Sequence, residues 1–374
     1  MLYGYNFSLN FALPYLISKL IHQSLPVKNN LTLAAVLLTT AISFQANASE
    51  TEYENGDLLN ISAEARMDFQ QDWNDDGHTV KSNSGFTPKY LNFRIDGSIV
   101  PDLTYSWRQR IYKPCIDNLF DATDWIYLQY KFKGWSFSAG KEVVKIGGFE
   151  YDRAPIDIFS GSVFWNNINC YELGVSVGYN VTANDMLSLQ AVQSPFFTKE
   201  NKTMYGYNLM WSASHGCFTA LYSANLFEYL PGKFINYLAL GNRFDFGPVR
   251  LELDLMNRAA SGQTFLFKDC SIMADLAYSP APRWRVHGKF TYDVNKSGTT
   301  KDFTVFNGTE LKMAGAGVEF FPLLKKRTSL RLHGNFYYSW GHNANSADVM
   351  QHNTCLLDFG ITWDMNIFSL NRKH

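Results

Sequence analysis

The sequence is poor in the features that would make it a disulfide scaffold, a zinc protein or a helical membrane protein. Its five cysteines, Cys115, Cys170, Cys217, Cys270 and Cys355, are odd in number, widely spaced and without a CxxC pair. That pattern argues against a disulfide framework or a zinc cluster, and no residue is assigned to a metal or cofactor. Beyond Ser49 no run of eighteen apolar residues occurs, so no segment there can cross a bilayer as a helix. An excess of either charge is missing too. The 33 basic residues face 34 acidic ones, with no basic run, and nothing points to nucleic acid as a partner. What is plentiful is apolar and aromatic surface: 46% hydrophobic and 16% aromatic residues, far above what a disordered chain carries.

The N-terminal region reads as an export signal. Lys28 precedes the apolar stretch LTLAAVLLTTAISF (Leu31 to Phe44), and Ala46-Asn47-Ala48 follows as a small-x-small cleavage signature. The apolar stretch is fourteen residues long, the length of a signal-peptide core and too short to span as a helix. Residues 1–48 are therefore read as a signal peptide with an upstream extension. Initiation is expected near Val27, and N-terminal sequencing of the precursor would settle that. Residues 49–374 are read as one domain, which carries a net charge of about −3.

Through that domain apolar residues recur at every second position, the period of a strand. In Leu59 to Phe69, the residues Leu59, Ile61, Ala63, Ala65, Met67 and Phe69 alternate with Asn60, Ser62, Glu64, Arg66 and Asp68. Leu330, Leu332, Phe336 and Tyr338 alternate in the same way with Arg331, His333 and Asn335. Such segments number sixteen: 58–69, 88–99, 102–112, 122–132, 135–144, 170–180, 184–194, 204–214, 217–227, 234–246, 248–258, 267–279, 282–293, 311–321, 327–340 and 353–367. The ninth and tenth are ambiguous in phase.

The connections alternate in length. Short turns follow the second, fourth, tenth and twelfth segments, and long polar loops follow the first, third, fifth, eleventh, thirteenth and fifteenth. Short turns at one end and long loops at the other describe an up-and-down barrel of the outer membrane. Tyr90, Tyr105, Trp107, Trp125, Trp135, Tyr179, Trp211, Tyr278, Trp284, Tyr292, Tyr338, Trp340 and Trp363 lie near segment ends, where interfacial girdles belong. The competing architecture is a secreted sandwich or propeller, because alternation alone does not say which face is inside. The expected fold is an all-β, antiparallel, transmembrane barrel of sixteen strands. A barrel that wide is not filled by wall side chains and leaves an aqueous channel.

The alternation stops at GKEVVKIGGFEYDRAPIDIFSGSVFWNNINC, Gly140 to Cys170. This long loop after the fifth strand holds paired glycines and a mixed set of charges, and is expected to fold back and narrow the channel. Lys141, Lys145, Glu150, Asp152, Arg153 and Asp157 are its candidate constriction residues. Lys141, Lys145 and Arg153 are candidates for solute contact, with Asp152 and Asp157 orienting those bases or pinning the loop to the wall. Within this stretch, GKEVVKIGGFEYDRAPIDIF (Gly140 to Phe159) resembles the segment after the fifth strand of Bacteroidetes outer-membrane porins similar to the phosphate-selective porin O and P family. The resemblance implies a trimeric, 16-stranded barrel conducting small solutes by diffusion. The sequence shows no repeated arginine ladder, and Phe368 is followed by Ser369 to His374 rather than ending the chain.

Strand phase assigns Arg66, Arg94, Arg108, Arg110, Arg250, Arg283, Arg285, Lys289 and Arg331 to the lumen, with Glu64, Asp96, Glu172, Glu252, Asp254, Asp275 and Asp358. A basic stripe would favour anions, phosphate among them, since arginine offers planar bidentate donors. A balanced set of wall ion pairs is the competing reading. Asp72, Asn74, Asp75 and Asp76 in the first loop are either a cation site or solvated charge. His215, His287 and His333 sit in no local catalytic motif, so no enzyme activity is assigned. The expectation is a porin in outer-membrane lipid passing small polar or anionic solutes. An adhesin or a lipid-transport barrel without general conductance is the alternative.

Overall fold

The computed structural model describes residues 57–111, 119–263, 266–324, 329–345 and 350–371. The expected signal peptide and Cys115 lie outside the described residues. The first eight strands are β1 (Asp57–Asn74), β2 (Gly85–Val100), β3 (Leu103–Arg110), β4 (Thr123–Phe132), β5 (Trp135–Val143), β6 (Tyr171–Asn180), β7 (Asp185–Gln193) and β8 (Tyr205–His215). The second eight are β9 (Phe218–Leu230), β10 (Lys233–Phe246), β11 (Val249–Ala260), β12 (Asp269–Ala281), β13 (Trp284–Asn295), β14 (Glu310–Phe320), β15 (Leu330–His342) and β16 (Thr354–Asn371). Each pairs antiparallel with its neighbours in sequence, and β1 pairs with β16 to close the barrel. Closure leaves no free edge among the described strands, so their ladders pair within the sheet.

All sixteen expected segments fall on these strands. The alternation of turns and loops holds with two departures. Pro231-Gly232 joins β9 to β10 as a two-residue hairpin at the loop end, and the β14–β15 connection at the turn end runs from 321 to 329.

The structure also decides which face is inside. Leu91, Phe93, Ile126, Leu128, Leu253, Leu276, Val286, Phe290, Leu332, Phe336 and Phe359 are exposed on the outer wall. Arg66, Asp68, Arg108, Glu252, Asp275, Lys289, His333, Asn335 and Asp358, on the opposite strand face, are buried. An apolar outside over a polar inside is the polarity of a barrel meant for lipid. Trp135 packs tilted against Tyr179 with centroids 4.5 Å apart, and Trp284 against Phe320 at 4.6 Å, near the turn end of that outer wall.

Two of the expected girdle residues face inward instead. Trp125 opposes Arg108 in register and follows the inward phase of Tyr127 and Gln129, and the Arg108 guanidinium lies 4.9 Å from its ring. Tyr90 opposes Arg66 beside a β-bulge, and Arg110 lies over its ring at 5.2 Å.

The segment between β5 and β6 folds into the barrel. It forms two short helices, α1 (Phe149–Asp152) and α2 (Val163–Asn167), with a 3-10 turn at Pro155–Asp157 between them. Its apolar residues Val144, Ile146, Tyr151, Val163, Phe164 and Ile168 build a core inside the lumen with Val192, Phe227, Ile235, Tyr237, Ala239 and Met256 of the wall. Val305, from the β13–β14 loop, joins the same core. On one side the lumen is therefore packed with hydrophobic side chains, a second core that the strand alternation alone does not announce.

Candidate functional site

The backbone brings the loop against the wall through glycine. Gly148 adopts φ +104, and a Cβ on Gly241 of β10 would lie 2.7 Å from the Gly148 Cα. A Cβ on Gly147 would meet the Leu221 carbonyl at 2.5 Å. Only glycines permit so close an approach of two backbones. Wall side chains then saturate the loop backbone. Ser223 Oγ accepts from the Gly147 amide at 2.8 Å, Asp254 Oδ2 from the Glu150 amide at 2.8 Å, and Asp293 Oδ2 from the Val163 amide at 2.9 Å. Asp293 thus sits at the N-terminus of α2, where free amides favour an anion.

Ion pairs complete the attachment. Lys289 Nζ lies 2.6 Å from Glu150 Oε1 and donates to the Ser160 carbonyl at 2.6 Å. Arg153 bridges Glu252 and Asp275 of the wall. Arg331 Nη2 meets Asp157 at 2.8 Å, and its Nη1 meets Glu319 at 3.1 Å. Arg66 donates to the Ile158 carbonyl at 2.7 Å. Phe159 lies under the Arg66 guanidinium at 4.7 Å. Asp157 thus contacts the wall through Arg331.

Two expected site residues are elsewhere. Lys141 is on the outer face of β5, because Gly140 and Glu142 take the inward phase; its Nζ donates to the Phe120 carbonyl at 3.1 Å. Arg283 is exposed in the turn between β12 and β13, outside both strands. The acids of the first loop act separately as acceptors, two within their hairpin and Asp75 toward β15. Asp72 takes the Asn83 amide, Asp75 the Tyr338 hydroxyl and Asp76 the His78 backbone amide. Cys170, Cys217, Cys270 and Cys355 are free thiols.

On the turn side of the loop the lumen opens into a cavity of about 480 Å³. Its charged lining comes from the loop (Arg153, Asp157) and from the wall (Glu64, Arg243, Arg250, Glu252, Asp275, Arg285, Lys289, Glu319, Arg331 and Asp364). Formal charge is balanced at six cations and six anions. The layering is not balanced. Side chains of Arg243 and Arg285 keep 27% and 28% exposure, while Glu252 and Glu319 beneath them keep 1% and 2%; Arg250 keeps 44% and pairs with Asp245, which keeps 39%. Glu252 receives two guanidiniums, from Arg153 and Arg243, and Glu319 receives two, from Arg285 and Arg331.

Arg243 was hidden from sequence reasoning because the phase of β10 is ambiguous. In the register it opposes Glu252 directly.

On the opposite wall Arg94 pairs with Asp96 at 2.6 Å, Arg108 with Glu64 at 3.5 Å and Asp124 at 3.4 Å, and Arg110 with Asp124 at 3.0 Å. Glu172 is buried on β6, and Lys145 is half-buried at the root of the loop, its amide donating to Gln190. Asp152 keeps solvent contact, yet enclosure by the surrounding barrel desolvates its carboxyl and raises it above the usual range, partly offset by Arg243.

The barrel can be compared with solved structures. An anion-selective porin from Comamonas acidovorans superposes with a TM-score of 0.60 at 11% identity, covering 82% of this chain and 99% of that one. The fold is that of the porins. OmpT, an outer membrane protein of Vibrio cholerae, superposes at 0.56 with 10% identity over 85% of this porin-fold chain and 100% of its own. A mutant of Rh. blastica porin reaches 0.50 with 13% identity over 82% and 100%. No family profile and no curated protein matches the sequence.

Proposed function

We propose that this porin-fold chain is a bacterial outer-membrane channel for passive diffusion of small hydrophilic solutes, with a preference for anions. The apolar outer wall and the absence of a free sheet edge fit immersion in lipid. The expected export signal fits delivery there, and the trimer implied by the family resemblance fits the same setting. The loop after β5, fastened across the lumen, is read as the constriction. The protein acts by conduction and not as an enzyme.

The observation that carries the anion preference is the layering of charge in the turn-side cavity. Arg243 on β10 and Arg285 on β13 face the water, and the carboxylates paired with them, Glu252 and Glu319, lie underneath, while Arg250 on β11 faces the water beside the exposed Asp245. A solute passing within a few ångströms meets guanidinium donors first, and charge at that range acts strongly in a narrow, low-dielectric passage. A guanidinium also offers a phosphate or carboxylate two parallel donors, so phosphate and organic acids are the solutes proposed.

The test is the reversal potential of the refolded protein in a planar bilayer under a salt gradient. The potential should fall on the anion-selective side. Arg243→Gln, Arg250→Gln and Arg285→Gln together should move it toward the cation side. A cation-selective wild type would overturn the preference, and no stepwise conductance from the folded barrel would overturn the channel.

A further inference from the structure

Where the barrel closes, the first strand and the last two place donor side chains on one spot. Gly360 of β16 opposes Asp68 of β1 on one side and His333 of β15 on the other. Because it lacks a side chain, its two neighbours reach over it, and a Cβ there would lie 2.2 Å from Asp68 Oδ1 and 2.6 Å from His333 Nε2. Asp358, two residues earlier on the same face of β16, supplies a second carboxylate.

All three side chains are fully buried. His333 Nε2 lies 3.2 Å from Asp68 Oδ1 and 3.8 Å from Asp358 Oδ1, and the three donors fall within 4.8 Å of one another.

We propose that Asp68, His333 and Asp358 bind a divalent transition-metal ion, with zinc the fitting first case, which staples β15, β16 and β1 across the closing seam. A tetrahedral ion with bonds of about 2.0–2.1 Å holds its ligand atoms about 3.3 Å apart, and the two measured separations bracket that edge. The donor atoms also remain unspent. Both ring nitrogens of His333 and Asp358 Oδ1 have no hydrogen-bond partner, although all are buried, a state that buried polar atoms rarely keep. His333 Nε2 is close to two carboxylates yet aligned as a donor to neither, which is how an imidazole looks when its lone pair points between them at an ion.

Arg66 approaches from the far side. Its Nη2 donates to Asp68 Oδ2 at 2.6 Å and to Asp358 Oδ2 at 3.2 Å. Its Nε takes Asp68 Oδ1 at 3.1 Å, which still leaves that oxygen a lone pair. This arrangement fixes the ligand carboxylates as outer-shell partners do in metal sites. Access is from the cavity on the turn side. Phe159 lines that cavity and covers the His333 ring with centroids 4.6 Å apart, so one aromatic ring stands between the site and water.

The measurement is metal content of the refolded full-length barrel after equilibration with zinc and removal of loose ions, read per folded chain. The expected result is one zinc per wild-type chain and none in His333→Gln or Asp358→Asn. The exposed pair His342 and His352, whose rings lie 5.8 Å apart, is the rival surface site, so His342→Gln with His352→Gln should still hold one. A folded wild type without zinc, retention in His333→Gln, or loss in the His342/His352 variant would each overturn the proposal. Should the seam variants fail to fold, cobalt on wild type decides: visible bands of a low-symmetry four-coordinate ion, displaced by zinc, support the site. Their absence sinks it.

Discussion

Lys289 of β13 and Glu150 of α1 meet at 2.6 Å inside the barrel, both nearly buried. This pair ties the loop to the wall. Glu150 also accepts from the Ser162 amide and hydroxyl, so one carboxylate joins the wall, α1 and the start of α2. Removing one member of such a buried pair strands the other charge, and that costs far more than the pair itself contributes.

Lys289→Met should therefore destabilise the seated loop by about 3–5 kcal/mol while leaving the outer wall intact. Single-channel records of the variant should show noisier, larger openings. Adding Glu150→Gln should recover part of the loss, and a double variant as noisy as the single would refute the pairing.

Gly241→Val should push the loop off β10, since the new Cβ would sit 2.7 Å from the Gly148 Cα and 2.9 Å from its backbone nitrogen. Overpacking of this kind costs about 1–3 kcal/mol. Conductance should rise in this variant, and heat-modified mobility on gels should show a barrel still folded. Unchanged conductance would show that the loop does not sit where the pore is narrowest.

Phe159→Ala should enlarge the turn-side cavity. The ring lies between the guanidiniums of Arg66 and Arg331 and stacks on His287 at 5.5 Å. Its loss leaves those cations less screened, so conductance and anion preference should rise together. A rise in conductance without a selectivity change would assign the ring a purely steric part.

Acidification should sharpen anion preference earlier than ordinary carboxylates allow. The Asp152 carboxyl is raised by desolvation, so it is neutral below its raised value and charged above it. As pH falls through that range the lumen loses a negative charge before solvent-exposed acids titrate. Asp152→Asn should shift the reversal potential at neutral pH and remove this residue's share of the pH dependence. A variant whose pH profile matches wild type would reject the assignment.

The sequence by itself determined the barrel: period-2 alternation is a local property of each strand, and the unequal connections separated the turn end from the loop end. The charged, glycine-bearing loop was legible for the same reason, as an interruption in a regular pattern. Glu150, Arg153 and Asp157 could be picked from it because charge is costly to carry into a packed interior without a partner. Register is not local, and there the tertiary structure decided. It turned Trp125 and Tyr90 into the lumen, put Lys141 on the outer face and left Arg283 in a turn. It also paired Arg243 with Glu252 and set Asp68, His333 and Asp358 around Gly360. That last grouping exists only because the first strand closes on the last, a contact between residues nearly three hundred positions apart that no local period encodes.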